Sequence, residues 1–209
     1  MDEQQTKIPA TQHEPRGNWH AWGSFIFDFL KVFVVAVAII IPVRWFLFQP
    51  FVVTGDSMRP NFQDGNYLII DELTYHLRPP ERGEVIVLRF PEDPSQFFIK
   101  RIIGLPNERI VINDTHVTIY NSANPNGLEL DESYLPSNNI TYGNIDETLG
   151  PNQYFVLGDN RLSSSDSRVF GAFDRSYIVG RVLFRLFPTN EISKFSAPSY
   201  SALSPSPAG

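Results

Sequence analysis

Hydrophobic positions along the chain fall into two kinds of pattern. From Val32 to Val43 they are continuous (VFVVAVAIIIPV), and RWFLF carries the run to Phe48 with only Arg44 interrupting. At about 1.5 Å per residue, roughly 17 helical residues reach about 25 Å, near the lower limit for a bilayer core. Residues Phe25 to Leu30 lengthen the helix if Asp28 and Lys31 pair one turn apart, and Arg44 near its end can snorkel. All three tryptophans, Trp19, Trp22 and Trp45, flank the run as interfacial rings do. The pattern predicts a transmembrane anchor over 24–48. The alternative is a cleaved secretory signal, but RWFLFQPFVV offers no small-x-small cleavage site. Lys7, Arg16 and Lys31 precede the span, a bias that favours a cytoplasmic N-terminus, with the rest of the chain then expected on the outer side of a cell membrane.

After residue 48 the apolar runs are short. NYLIIDEL, GEVIVLRF, FFIKRIIGL, ERIVIN, THVTIYN, NQYFVLGD and YIVGRVLFRLF are rich in Val, Ile, Phe and Tyr and are bounded by Pro, Gly, Asn or Asp. They predict a mainly β fold over 49–192, an antiparallel barrel-like or sandwich-like domain, with a hairpin at NDTH. Residues 121–150 are polar and turn-rich, more like an insertion or subdomain than core. The ends, a polar tail over 1–23 and a Ser/Pro-rich tail over 193–209, lack an apolar period and are expected to be disordered.

Charge and composition narrow the chemistry. Residues 1–48 are balanced, so the net charge of -6 lies wholly after Phe48, where 13 basic face 19 acidic side chains. Such a domain fits neither phosphate backbones nor anionic lipid heads, so nucleic acid is set aside as a partner. With no cysteine, a disulfide, a thiolate zinc site and a cysteine nucleophile are all excluded. No P-loop, dinucleotide fingerprint or internal repeat is present.

Three polar stretches remain as candidates for chemistry. In TGDSMRP, Gly55 permits a backbone conformation closed to other residues and presents Ser57 in a turn. The second Gly of a G-x-S-x-G elbow is absent, and the turn alone suits an ordinary hydroxyl as well as a nucleophile. A serine nucleophile needs a base. His13 and His20 precede the apolar run, and His76 and His116 lie in a loop and a hairpin. In PSQFFIKRIIGL, strand alternation puts Phe98, Lys100 and Ile102 on one face and Phe97, Ile99, Arg101 and Ile103 on the other. Lys100 therefore projects from an apolar face, where desolvation would lower its pKa and free the amine to accept a proton. An edge-strand lysine reaching water fits the same pattern. The third stretch, VLGDNRLSSSDSRVFGAF, packs hydroxyls and alternating charges into one loop; Arg161 and Arg168 count against a calcium loop.

In identity, order and position after an N-terminal anchor, these stretches resemble type I signal peptidases. GDSMRPNF resembles the family's nucleophile motif, RGEVIVLRFP the strand motif after it, KRIIGLPNERI the base motif, and GDNRLSSSDSRVFG the last motif. The resemblance covers roughly Phe51 to Gly171 and is weakest across 121–150. It implies Ser57 as nucleophile, Lys100 as general base and Ser164 as the hydroxyl that orients the lysine amine. It also implies an ion pair of Asp159 with Arg101 and a polar pair of Asp166 with Arg168. The implied substrate is an exported preprotein, cut after small residues of the Ala-x-Ala type and lying extended along the strands that lead to the dyad. Phe51, Val53, Met58 and Ile99 are the candidate pocket residues.

No metal and no cofactor are expected, and the partners are preproteins and the lipid bilayer. In some family members a serine two positions before the nucleophile serves the oxyanion hole; Gly55 stands there and has no side chain to donate. The Ser57 backbone N–H is one expected oxyanion donor and the second is unassigned. Two other readings stay open: a self-cleaving Ser-Lys regulator, and a catalytically silent membrane-tethered β domain that binds a partner.

Overall fold

The computed structural model describes residues 19–46, 48–198 and 200, with side chains over 26–40, 50–113, 115–198 and at 200. The polar tail up to residue 18, the tail from 201 and the side chains of Trp19, Trp22, Arg44 and Trp45 lie outside the described residues. The chain divides at Pro42/Val43 into two units. The first consists of helix α1, Trp19–Phe46, which runs four residues beyond that boundary. Every described side chain from residue 26 to residue 35 is exposed, nearly three helical turns without a covered face. Lys31 places its Nζ 5.0 Å from the Phe27 ring centroid, and the expected Asp28–Lys31 ion pair is absent. Among the described residues no helix is long and apolar enough to cross a membrane.

The second unit is mainly antiparallel β, with strands β1 (Phe48–Val52), β2 (Tyr67–Asp71), β3 (Val85–Phe90), β4 (Asp93–Gly104), β5 (Arg109–Asp114), β6 (His116–Tyr120), β7 (Leu128–Glu129), β8 (Gly143–Thr148), β9 (Gln153–Leu157), β10 (Phe173–Asp174), β11 (Ile178–Phe187) and β12 (Ser193–Lys194). Two one-turn helices, α2 (Thr74–Leu77) and α3 (Ser167–Phe170), interrupt them. The larger sheet runs β1-β2-β11-β3-β4-β9-β10 with β12 added to β11; the smaller runs β7-β6-β5-β8. The larger path ends at β1 and β10 without closing, so the expected barrel is an open sheet beside a second one.

Packing follows the side-chain alternation of the strands. In β3, Val85 and Val87 enter one core cluster with Val53, Met58, Phe62, Leu68 and Ile70, while Ile86 and Leu88 enter another with Ile102, Tyr154 and Val156. Covered on both faces, the strand reads as an uninterrupted apolar run. A third cluster joins the sheets: Ile110, Ile112, Val117 and Ile119 of the smaller pack with Ile103, Phe155 and Leu157 of the larger.

The stretch 121–150 supplies β7 and β8 to the smaller sheet, β8 pairing with β5 along six residues, Arg109↔Thr148 to Asp114↔Gly143. One expectation is corrected here. The tail expected from residue 193 begins as ordered chain: β12 pairs with β11, and Phe195 packs 5.2 Å from the Phe62 ring. Both segments alternate weakly, and partial burial of Phe195 and of alternate β8 side chains supplies what periodicity does not.

Candidate active site

Ser57 sits in the connection from β1 to β2. Val53 N–H donates to the Asn66 carbonyl and Gly65 N–H to the Val53 carbonyl, each at 2.9 Å, so the two strands are clamped at the turn's base. Met58 and Phe62 are 0% and 2% exposed, and the Phe62 N–H donates to the Met58 carbonyl at 2.9 Å, forming a helical turn rooted in the core. Gly55 has φ +90, in the region that disfavours L side chains, although the space where a Cβ would stand is open. Its N–H donates to Asp64 Oδ1 at 2.8 Å and so is not free to serve an oxyanion. The Ser57 N–H has no acceptor among the described residues.

Lys100 comes from β4, between Ile86 of β3 in register and the cation–aromatic contact of its own Phe98, whose centroid is 5.0 Å from Nζ. Its Nζ lies 2.9 Å from Ser57 Oγ and donates to the Ile99 carbonyl at 3.0 Å. The residue is 4% exposed. Burial pulls its pKa down to about 8, against the upward pull of the Asp166 and Asp159 charges. Those carboxylates are already committed to arginines. Asp159 accepts from Arg101 Nε at 2.7 Å and Nη2 at 2.6 Å, and Asp166 from Arg168 Nε at 2.8 Å and Nη2 at 2.9 Å. Lys100 thus has no counter-ion of its own. Arg101, one residue on, faces away from the groove. Its pKa is moved most by burial, which lowers it, but the Asp159 carboxylate outweighs that and leaves it raised.

The loop after β9 brings the remaining groups. Gly158 N–H donates to Asp166 Oδ2 at 2.9 Å, and a Cβ on Gly158 would stand 2.1 Å from Ser164 Oγ and 2.6 Å from the Ser57 carbonyl oxygen. Only glycine lets the loop approach the nucleophile turn this closely. Ser164 lies there, but its buried hydroxyl has no hydrogen-bond partner among the described residues and makes none of the expected contact with the lysine amine; the Ile99 carbonyl receives the amine instead.

A groove of about 270 Å³ opens beside the pair, lined by Phe51, Val53, Ser57, Phe97, Ile99 and Lys100 among others. Three of the four candidate pocket residues line it. Met58 does not: it is wholly buried, and its Sδ accepts from the Asp159 N–H at 3.4 Å. Met58 follows Ser57 in a turn, where strand alternation gives no guide, and its side chain roots that turn in the core. Sequence reasoning also missed Asn160, Arg161 and Asn139, which tie the loop to its neighbours. The first two stand inside the motif quoted above; Asn139 lies in the turn-rich stretch with no pattern to mark it.

A family model described as "Signal peptidase, peptidase S26" matches residues 26–187. A protein named probable signal peptidase I-1 from Synechocystis sp. (strain ATCC 27184 / PCC 6803 / Kazusa) is 33% identical, covering 79% of this chain and 85% of its own. A signal peptidase I from Bacillus caldolyticus is 35% identical over 87% of this chain and 97% of its own. Signal peptidase I S of Bacillus subtilis (strain 168) is 32% identical over 81% and 93%. A solved signal peptidase I from Enterococcus faecalis V583 is 30% identical with a TM-score of 0.42, covering 50% of this chain and 97% of that one. On the family match and these relatives, the chain belongs to the signal peptidase family, peptidase S26.

Proposed function

We propose that Ser57 and Lys100 form the dyad with which this signal peptidase removes signal peptides from exported preproteins. The observation that carries the assignment is the 2.9 Å approach of a buried amine, titrating near 8, to the Ser57 hydroxyl. At neutral pH the minority of neutral amine accepts the Ser57 proton as Oγ attacks the scissile carbonyl. The ammonium then gives its proton to the leaving amine, and an acyl ester remains on Ser57. The mature protein leaves with that amine; Lys100, neutral again, takes a proton from water, whose oxygen attacks the ester, and passes it to Ser57 Oγ as the signal peptide is released. The Ser57 N–H is the proposed oxyanion donor, since no acceptor among the described residues occupies it. Ser164, buried and without a partner, is the proposed acceptor for an amine N–H when Lys100 is protonated.

The groove fits an extended peptide with small side chains. One edge of β1 is paired to β2 and its other edge is unpaired, so a substrate strand can add its main-chain hydrogen bonds there. Phe51, Val53, Phe97 and Ile99 leave shallow apolar space beside Ser57, which suits Ala-x-Ala sites. Helix α1 is the proposed single-pass anchor. Apolar side chains exposed on every face across 26–35 are a poor match to water and a good one to lipid. With its N-terminus in the cytoplasm, the β domain would work on the outer side of the membrane, beside substrates whose signal helices share the bilayer.

Incubation of the full-length protein in detergent with a preprotein bearing an Ala-x-Ala site tests the dyad. The parent is expected to release the mature protein, and Ser57→Ala and Lys100→Ala to lose activity by at least about a thousandfold. Undiminished cleavage by either variant sinks the assignment.

A further inference from the structure

Asn160 holds the peptide that carries the oxyanion donor. Its Nδ2 donates to the Asp56 carbonyl at 3.1 Å, and its backbone N–H donates to the Ser57 carbonyl at 2.9 Å. The Asp56 carbonyl and the Ser57 N–H belong to one peptide unit and, in a trans peptide, point in opposite directions. Fixing the carbonyl on the loop side therefore aims the N–H away from the loop. The second bond holds the next peptide plane as well, so both planes around the Ser57 Cα are bonded to this one residue, the Asp56 carbonyl also accepting from the Arg59 N–H at 3.2 Å.

Asn160 is itself held from the stretch 121–150. Asn139 spans it with the two ends of one side-chain amide: Oδ1 accepts from the Arg161 N–H at 2.9 Å, and Nδ2 donates to the Asp159 carbonyl. Arg161 secures the same loop, donating from Nε to the Gly158 carbonyl at 2.9 Å and from Nη2 to the Tyr134 hydroxyl at 2.9 Å. Its Nη1 meets the Thr141 hydroxyl and Glu132. Neither Asn139 nor Asn160 lines the groove.

We propose that Asn139 and Asn160 are positioning residues that act in series, the first fixing the loop peptides on either side of the second, and the second orienting the Ser57 N–H toward the developing oxyanion. This deepens the Ser57–Lys100 reading and rests on it. Removing one oxyanion donor costs about 10²–10³ in kcat, and misaiming it costs part of that. The loss falls on kcat because the donor is engaged most strongly in the transition state.

The test compares full-length parent, Ser57→Ala, Asn139→Ala, Asn160→Ala and the double variant on an Ala-x-Ala preprotein. Each single asparagine variant is expected to lower kcat by roughly tenfold or more with KM within about threefold, and the double variant to be no more than about twofold worse than the weaker single. A residue that merely stabilises the fold would give additive losses or none in kcat. If Ser57→Ala is dead while both asparagine variants keep kcat within about twofold, or if only KM rises, the positioning role is overturned and the dyad stands. If Ser57→Ala cleaves as the parent does, the dyad reading falls and this one with it. Should Asn139→Ala fail to fold, Asn139→Asp carries the same thresholds, since it keeps the acceptor for the Arg161 N–H and loses only the donor to the Asp159 carbonyl.

Discussion

Replacing Lys100 with methionine should inactivate the protein and stabilise it. The amine is 4% exposed and has no counter-ion of its own, and burial brings its pKa to about 8. In the unfolded chain a lysine titrates near 10.5. Below pH 8 both states hold the proton, and keeping it in the fold costs about 3 kcal/mol, each tenfold change being worth about 1.4 kcal/mol. Between pH 8 and 10.5 the unfolded state binds more protons than the folded one, so the stability of the parent rises with pH. Above 10.5 both states are neutral and the penalty is gone. Methionine has similar length and no charge to desolvate. Against its gain stand the lost contacts to the Ser57 hydroxyl and the Ile99 carbonyl, about 1 kcal/mol each. At pH 7 the variant should therefore be more stable by about 1 kcal/mol, a rise in Tm of roughly 2–4 °C. The pH-dependent part is the sharper quantity, because the lost hydrogen bonds do not follow the lysine's titration. Thermal or denaturant unfolding of both proteins at pH 7, 9 and 10.5 measures it. The advantage of Lys100→Met should shrink by about 3 kcal/mol across that range. A variant less stable than the parent at pH 7, or a gap that does not change with pH, refutes the reasoning.

Gly158→Ala should cost activity far out of proportion to one methyl group. The new carbon would stand 2.6 Å from the Ser57 carbonyl oxygen, a backbone atom of the nucleophile turn, so loop and turn must separate. A fall in kcat of about a hundredfold or more is expected in the cleavage assay, since ångström-scale misplacement alone costs that much. Asp159→Asn leaves the Arg101 guanidinium, 1% exposed, without its carboxylate. The expected destabilisation is about 3–5 kcal/mol, read as a lower Tm.

Much of the larger sheet was legible because its central strands are buried on one or both faces: VIVL in β3 and KRIIG in β4 announce themselves as apolar runs. The smaller sheet was half legible. ERIVIN and HVTIY read as a hairpin, whereas GNIDET alternates too weakly to mark β8, and its place is set by pairing with β5. The site divides the same way. Gly55 and the apolar flank of Lys100 are local signals. The approach of Ser57 to Lys100 across 43 residues is a property of sheet order, which no window of sequence contains. Only the family resemblance points to that pairing from the sequence. It also suggested a Ser164–lysine contact, which is not formed, and gave no hint of Asn139. The residue between Ser57 and Arg59 was read as a pocket wall for the same reason: turn sequences do not reveal which of their side chains root the turn.

The most direct test of the account is the pH dependence of kcat/KM for the full-length protein on an Ala-x-Ala preprotein, followed from pH 6 to 10.5. If buried Lys100 is the base, kcat/KM should rise with the loss of a single proton, with a midpoint near 8, and level off above it. A profile that is flat through this range, or one that rises near the ordinary histidine pKa of about 6.5, would contradict it.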